Sequence, residues 1–591
     1  MAAKKLVSKF LMWRIRHLSD RNFVLIVSGV VGCVSGLAAV ILKWGVHKLH
    51  HLLTGNFDTS YYHYFYFFFP LIGIFLSYML AKYVFREKLS HGVTSVLYSI
   101  SKGSSILKKR LMASRVFTSA VTVGFGGSVG LEAPIVVTGS AIGSNIARTM
   151  HLNYPRRSLM IGCGSAAAVS AIFNSPIAGV IFSVEVILSE VNINKFIPLL
   201  IASVCGSIVS LLLLGDEILF TFTPTFNLEF THVPHFIFLG IMCGLVSVYF
   251  TRMHYFLEST IAKFNDGIPK VIFGGLMLGV MIFVFPPLYG EGYSTLKLLL
   301  ANNESTLLHN SLFFGQDQLW FIITFLVSMI LIKAVASALT IGSGGSGGIF
   351  APSLFIGGMT GFLYSRVASV FGFAEDVHHS NFTLVGMCGV MSGVLHAPLT
   401  AIFLIAEITQ GYTLFVPLMI VSAISYSTIY YFEPHSMYTK HLIEKGDLIK
   451  NDRDREVLSL IDIQKVIERD FKTVHPDALL GELIEIVKNS SRNIYPVVNS
   501  ECRLVGIIHL DDIRKMMFDL DKHSQVIVKT IMHIPKDSIS TSDDMNKVMS
   551  KFEHSGQWNL PVINDDVYVG FISKSKIFNA YRKRLIRQNR E

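Results

Sequence analysis

Glu132 stands in GSVGLEAPIV, residues 127–136, among neighbours that are otherwise small or apolar. A carboxylate placed there either forms a structural ion pair or meets unpaired backbone donors. No cation lies close in sequence, Arg115 and Arg148 being the nearest. A glycine cluster followed by proline marks a helix start, because proline is tolerated in the first turn. Such a start leaves backbone N–H groups unpaired and aimed one way, and the helix dipole adds partial positive charge. Within a membrane, that end is an anion site needing no cationic side chain. An ionised Glu132 would compete for those amides and leave them when protonated or displaced. The chemistry expected of it is therefore that of a gate on an anion path.

The motif occurs twice. GLEAPIVVTGSAIG (130–143) resembles GIFAPSLFIGGMTG (348–361), with Gly-x-x-Ala-Pro aligned in both. A second pair follows in the same order: SAIFNSPIAGVIFSVEV (170–186) matches SGVLHAPLTAIFLIAEI (392–408), which aligns Pro176 with Pro398 and Glu185 with Glu407. Repeats in a polytopic protein suggest two structural halves with a site where broken helices meet. Small residues that let helices approach in lipid explain scattered Gly and Ala. They do not explain Gly clusters followed by Pro. Glu185 and Glu407 are candidates for bonding helix ends.

Membrane-spanning elements must position these motifs. Of 591 residues, 51% are hydrophobic and only 16% charged, against about a quarter in soluble proteins. The mean hydropathy is +0.50. Apolar runs at 23–46, 64–85, 196–214, 236–250, 271–285, 319–335, 384–408 and 414–431 predict spans, given that roughly 20 residues cross a bilayer. Gly, Pro and Ser interrupt several, so short, tilted or broken helices are expected. The six cysteines show no CxxC or metal spacing and imply neither disulfides nor a metal site. Residues 1–22 predict a basic amphipathic helix without a signal-peptide cleavage pattern, consistent with a cytosolic face. The net charge of +10 requires no nucleic acid.

Beyond Tyr431 the composition changes, with a linker expected at 447–465. NIYPVVNSECRLVGIIHLDDI (493–513) resembles NLPVINDDVYVGFISKSKI (559–577), each reading as strand, turn, strand, helix. Two small α/β modules are expected, at 466–520 and 526–583, followed by a basic tail at 584–591. No nucleophile–base set, P-loop or metal cluster suggests an enzyme. A cation path would cluster acidic residues along the spans, and here they are isolated.

Residues 23–446 resemble the CLC family of chloride channels and chloride/proton exchangers, and the tail resembles paired CBS domains. GLEAP resembles the family's Gly-Arg/Lys-Glu-Gly-Pro, which makes Glu132 the gate. GGIFAP resembles Gly-x-Phe-x-Pro, whose amides at Ile349 and Phe350 would bind the anion. PHSMYTKHLIEKG resembles the segment whose tyrosine, here Tyr438, caps it. SHGVT (90–94) stands for the Gly-Ser-Gly-Ile-Pro loop, placing His91 and Gly92 at the anion. His91 either donates an N–H, with pH-dependent binding, or packs neutral. Val186 takes the position of the exchangers' internal glutamate, with Glu185 just before it as the remaining proton-pathway candidate. Leu131 replaces the gate's basic neighbour, which reduces local attraction for anions.

The resemblance implies an all-α polytopic membrane domain of two repeated halves with a C-terminal α/β tandem CBS pair. It further implies a homodimer in the cell membrane, with N-terminus and CBS domains cytoplasmic and chloride as the partner ion. A passive gated channel is the leading expectation. A chloride/proton antiporter is the alternative, and fluoride or nitrate the less favoured substrates. No cofactor is required. For an adenine nucleotide at the CBS pair, His509, Asp512 and Ser573 are the candidate contacts, each module keeping half of the Thr/Asp pattern. Packing beneath the membrane domain is the other reading of this pair.

Overall fold

The computed structural model describes residues 14, 16–54, 62–87, 92–102, 104–188, 193–215, 232–264, 267–303, 319–372, 378–444, 458 and 461–590. The chain divides into two compact units, Met1–Leu448 and Ile449–Glu591. Most of the expected 1–22 helix, the 447–457 part of the linker and His91 lie outside the described residues.

The first unit is helical throughout: α1 Asp20–Thr54, α2 Tyr62–Met79, α3 Gly92–Ser101, α4 Leu111–Gly124, α5 Glu132–Thr149, α6 Tyr154–Phe173, α7 Pro176–Phe182, α8 Ile193–Leu214, α9 Val233–Ala262, α10 Ile268–Val284, α11 Tyr293–Leu300, α12 Leu319–Gly342, α13 Phe350–Val370, α14 His379–Leu395, α15 Pro398–Ile408, α16 Phe415–Phe432 and α17 Met437–Glu444. Among the described residues, six helices are long and apolar enough to cross a membrane, and four apolar ones are shorter. The expected run at 384–408 is in fact two helices. His396 turns left-handed at φ 54°, ψ 41°, and Pro398 opens the next helix at its first turn. Asn174 makes the same corner in the first half, at φ 54°, ψ 39°, before Pro176.

The two halves are related by a local two-fold axis, which the hydrogen bonds reveal. Gly130 N–H donates to the Gly348 carbonyl at 2.9 Å, and Gly348 N–H donates back at 2.8 Å. Ser128 N–H donates to Thr340 Oγ1 at 3.3 Å, while Ser346 N–H donates to Thr122 Oγ1 at 3.0 Å. Reciprocal contacts between equivalent residues define such an axis. Small residues bring the helices of each half together. A Cβ on Gly139 of α5 would lie 2.2 Å from the Gly164 carbonyl oxygen of α6. Their counterparts Gly357 and Gly386, on α13 and α14, meet just as closely.

The second unit holds two α/β modules. In the first, α18 (Leu480–Lys488) packs with the antiparallel pair β1 (Ile494–Val498) and β2 (Leu504–His509) and the turn α19 (Leu510–Ile513). In the second, β3 (Ile539–Ser540), β4 (Asn559–Asn564) and β5 (Val567–Ser573) form one sheet with β3 parallel to β4. They carry α20 (Met545–Ser555) and α21 (Lys574–Arg590). Both hairpins bulge at the same place, Val497/Val498 and Val562/Ile563, so the repeat is structural as well as sequential. The module limits differ from 466–520 and 526–583 because the segments cross over. Val528 packs in the first core, while Ile463 and Val466 pack in the second. The 584–591 tail starts as a continuation of α21. Phe471 and Phe571, 4.6 Å apart between ring centroids, join the modules.

Asp543 anchors the second module. Its burial would raise the carboxyl pKa. Bonds from Lys547 at 2.8 Å, Lys551 at 2.9 Å and the Ser540 amide outweigh that and hold it down at about 2. A carboxyl lowered on folding stabilises fully above its unfolded value of about 3.9 and loses that contribution as pH falls through the folded value. Lys547 remains 64% exposed, which screens part of the effect. Asp543→Asn is expected to cost about 1–2 kcal/mol at neutral pH and almost nothing near pH 2. Hydrogen-exchange protection of residues 539–564 in the detergent-solubilised full chain measures this; a pH-independent loss would contradict it.

Candidate functional site

Three helix starts converge on one cavity of about 60 Å³. Gly92, Val93 and Thr94 line it from α3, Ala133 from α5, and Gly347, Gly348 and Ile349 from the entry to α13. Tyr438 closes it from α17, and its carbonyl accepts from Thr94 Oγ1 at 3.1 Å. Gly92, Ile349 and Tyr438 thus come together as the sequence pattern predicts. Phe350 is the first residue of α13, buried between the Phe173 and Phe182 rings at 5.2 and 6.4 Å. The ends of α5 and α13 have no side-chain cap, so their first amides are left for a ligand or a carboxylate. Farther along, His254, Tyr255, Glu258 and His441 line the same cavity. Among the described residues, no group of three or more His, Cys, Asp or Glu gathers to hold a metal.

Glu132 is the first residue of α5 and is 2% exposed. Its Oε1 accepts from the Tyr293 hydroxyl at 2.6 Å, and the Ala351 amide of α13 faces the same carboxyl. Its close approach explains Gly130: a Cβ there would lie 1.9 Å from Glu132 Oε2 and 2.9 Å from Ala351 Cβ. The two-fold relation places Phe350 where the other half has Glu132. At equivalent points, one half has an aromatic side chain and the other a buried carboxylate.

The buried cation that sequence proximity did not supply comes from α12. Lys333 is fully buried and donates to Ser128 Oγ at 2.9 Å and to the Gly290 carbonyl at 3.0 Å. It also stands over the Phe355 ring at 4.9 Å. Arg115 on α4 is its buried counterpart in the other half. Tyr293, Glu291 and Lys333 escaped the sequence reading. The available signal was Lys333 itself, a single cation in a 24-residue apolar helix.

Glu185 and Glu407 cap each other's halves. Glu185 lies in a π turn, Ser183–Ile187, that extends α7. It accepts from the Leu399 and Thr400 amides at 3.1 and 2.8 Å and from Thr400 Oγ1 at 2.7 Å. Glu407 accepts from Ile177 and Ala178 at 3.0 and 2.8 Å. This is the helix-end bonding that was the alternative to proton transport. Val186 is half-buried and packs against the core.

In the second unit the nucleotide candidates already have protein partners. Asp512 accepts from the His509 amide at 2.8 Å and pairs with His533 at 3.3 Å. Ser573 Oγ donates to Glu468 at 2.6 Å, and Glu468 also binds Arg492 at 2.7 Å.

Halves joined by broken helices whose starts surround a small cavity define a polytopic membrane fold. The chain belongs to the voltage-gated chloride channel (CLC) family, whose family model matches residues 72–429, and a CBS domain model matches 462–519. Arabidopsis thaliana chloride channel protein CLC-f is 26% identical over 73% of this chain and 61% of its own length. Arabidopsis CLC-e is 29% identical over 56% and 48%. The chain therefore spans about half to three-fifths of these plant relatives. The Vibrio cholerae H(+)/Cl(-) exchange transporter ClcA is 26% identical over 68% of this chain and 84% of its own. A slow cyanobacterial Cl-/H+ antiporter shares the fold at TM-score 0.60 and 21% identity, over 73% of this chain and all of that one. A eukaryotic CLC transporter does so at TM-score 0.60 and 17% identity, over 94% and 99%.

Removing either capping carboxylate strands two amides in the membrane domain. Glu185→Ala and Glu407→Ala are each expected to cost about 1–3 kcal/mol, and the Gln variants less, since one acceptor remains. Thermal unfolding in detergent measures this; an effect at one site without the other would contradict the two-fold arrangement.

Proposed function

We propose that this protein carries chloride across the membrane through the α3–α5–α13 cavity, as a passive gated conductance with Glu132 as gate. The observation that carries this reading is the position of the Glu132 carboxyl at the uncapped start of its own helix and facing that of α13. There an ionised carboxylate and a small anion compete for the same amides. Ile349 and Phe350 would offer main-chain N–H groups, Tyr438 its hydroxyl, and Gly92 with His91 the third helix start. Val186 favours a channel, because it cannot carry a proton where the exchangers have a glutamate. The catalytic roster is empty in this reading: nothing is transformed, only moved. A homodimer, and cytoplasmic placement of the N-terminus and CBS pair, complete the proposal by family resemblance.

Chloride/proton exchange is the second reading. It is supported by the exchange activity named for ClcA and for the cyanobacterial antiporter. The titratable His254, Glu258 and His441 along the cavity also favour it, since they offer proton carriers other than Val186. A fluoride/proton antiporter of the same fold, at TM-score 0.58, 22% identity and coverage of 71% of this chain and 97% of that one, keeps fluoride among the anions to be compared.

Glu132→Gln is expected to raise chloride flux on the order of tenfold, the factor that about 1.4 kcal/mol of lost competition gives, and to flatten its pH dependence. Proteoliposome efflux measures both, and an unchanged rate and pH profile would exclude the gate. The same vesicles with a chloride gradient separate the readings, since proton movement against its own gradient occurs only in an exchanger.

For the tail, we propose a packing role, supported by the protein partners already held by Asp512 and Ser573. Calorimetric titration of the full chain with ATP is expected to give no binding heat; saturable binding lost in Asp512→Ala would reverse that assignment.

A further inference from the structure

The gate has a second carboxylate beside it that its motif does not contain. Glu291 lies in the short link between α10 and α11, flanked by Gly290 and Gly292 at φ 64° and 91°. Those left-handed glycines lift the loop over the start of α5. Glu291 Oε1 accepts from the Leu131 amide at 3.3 Å, so it occupies the donor just before Glu132. Two residues on, Tyr293 donates to Glu132. The 286–293 link therefore delivers both an acid and a phenol to one helix end.

The charged and titratable surroundings of Glu291 are these: Glu132 on α5, Tyr293 at the start of α11, Lys333 on α12 and Lys43 on α1. From α13, Phe355 meets Gly292 and brings no charge. Two carboxylates within coulombic reach disfavour double ionisation and titrate as a pair. Glu132 is sealed off, whereas Glu291 is half-buried.

We propose that Glu291 is a proton-loading residue for the gate, holding the proton that Glu132 needs to release the anion site. This rests on the gating role of Glu132. In the step, the O–H bond on Glu291 breaks and an O–H bond forms on Glu132. The negative charge moves to Glu291, to which the Leu131 amide donates a hydrogen bond and which Lys333 and Lys43 attract. Glu132, now neutral, no longer competes for the amides, and an anion takes its place. Solvent then reprotonates Glu291. Tyr293 is a positioning residue that keeps the gate carboxyl within reach.

The test is the pH profile of chloride efflux from proteoliposomes for the wild type, Glu291→Gln, Tyr293→Phe and Glu132→Gln. Glu291→Gln is expected to move the midpoint of the acid-stimulated flux by about one pH unit or more, the scale of a close charge interaction. Tyr293→Phe should change the rate and move the midpoint less. Glu132→Gln should abolish the pH dependence. A Glu291→Gln profile that overlays the wild type while Glu132→Gln is flat overturns this inference and leaves the gate standing. A Glu132→Gln profile like the wild type overturns the gate itself. If Glu291→Gln does not fold, Glu291→Asp replaces it. An unshifted Asp midpoint at reduced rate supports proton loading, since a shorter acid still titrates but reaches less well. An Asp profile matching the wild type in both rate and midpoint overturns it.

Discussion

Everything in the membrane unit depends on main-chain N–H groups being left unpaired on purpose, at helix starts that meet inside the protein. In hydrocarbon an unsatisfied amide is costly, and non-helical backbone survives only where protein or a cavity surrounds it. The Gly130–Gly348 exchange of hydrogen bonds satisfies the two linking peptides, the Leu131 amide beside it donates to Glu291, and the starts of α5 and α13 carry no side-chain cap. On the proposed reading, those uncapped amides give an anion a reason to shed water. They also give Glu132 a reason to sit where it does. On the proposed reading the gate and the site are one feature, the carboxylate being an internal substitute for the anion.

Positive charge is arranged around this point with restraint. Lys333 is buried but spends its donors on Ser128 and on backbone carbonyls, so its field is felt without a direct ion pair locking the gate. An ammonium bonded straight to Glu132 would hold it in place and oppose movement. A phenol at 2.6 Å holds it more weakly and leaves its charge free to change.

Much of this was legible in the residues. The Gly-x-x-Ala-Pro pair and the aligned prolines disclosed two halves, because helix starts and corners leave local signatures. Tyr438, Ile349, Phe350 and Gly92 followed from the family resemblance; Tyr438, Ile349 and Gly92 line one cavity, and Phe350 is the next residue along, packed on Phe173 and Phe182. What sequence did not disclose were contacts between segments far apart in the chain. Tyr293 and Glu291 lie about 160 residues from Glu132 and Leu131, which they respectively bond, and no local pattern ties them together. The tail's crossover was hidden for the same reason: Ile463 and Val528 are ordinary core residues, and nothing in their neighbours says which core they join.

The exchange of caps between Glu185 and Glu407 is reciprocal. Each half's short helix is completed by a carboxylate from its sister. One half on its own would carry both a bare helix start and a spare acid, and a second identical copy would cure both defects at once. The joint is thus self-complementary in the way an interface between two copies of one half would be.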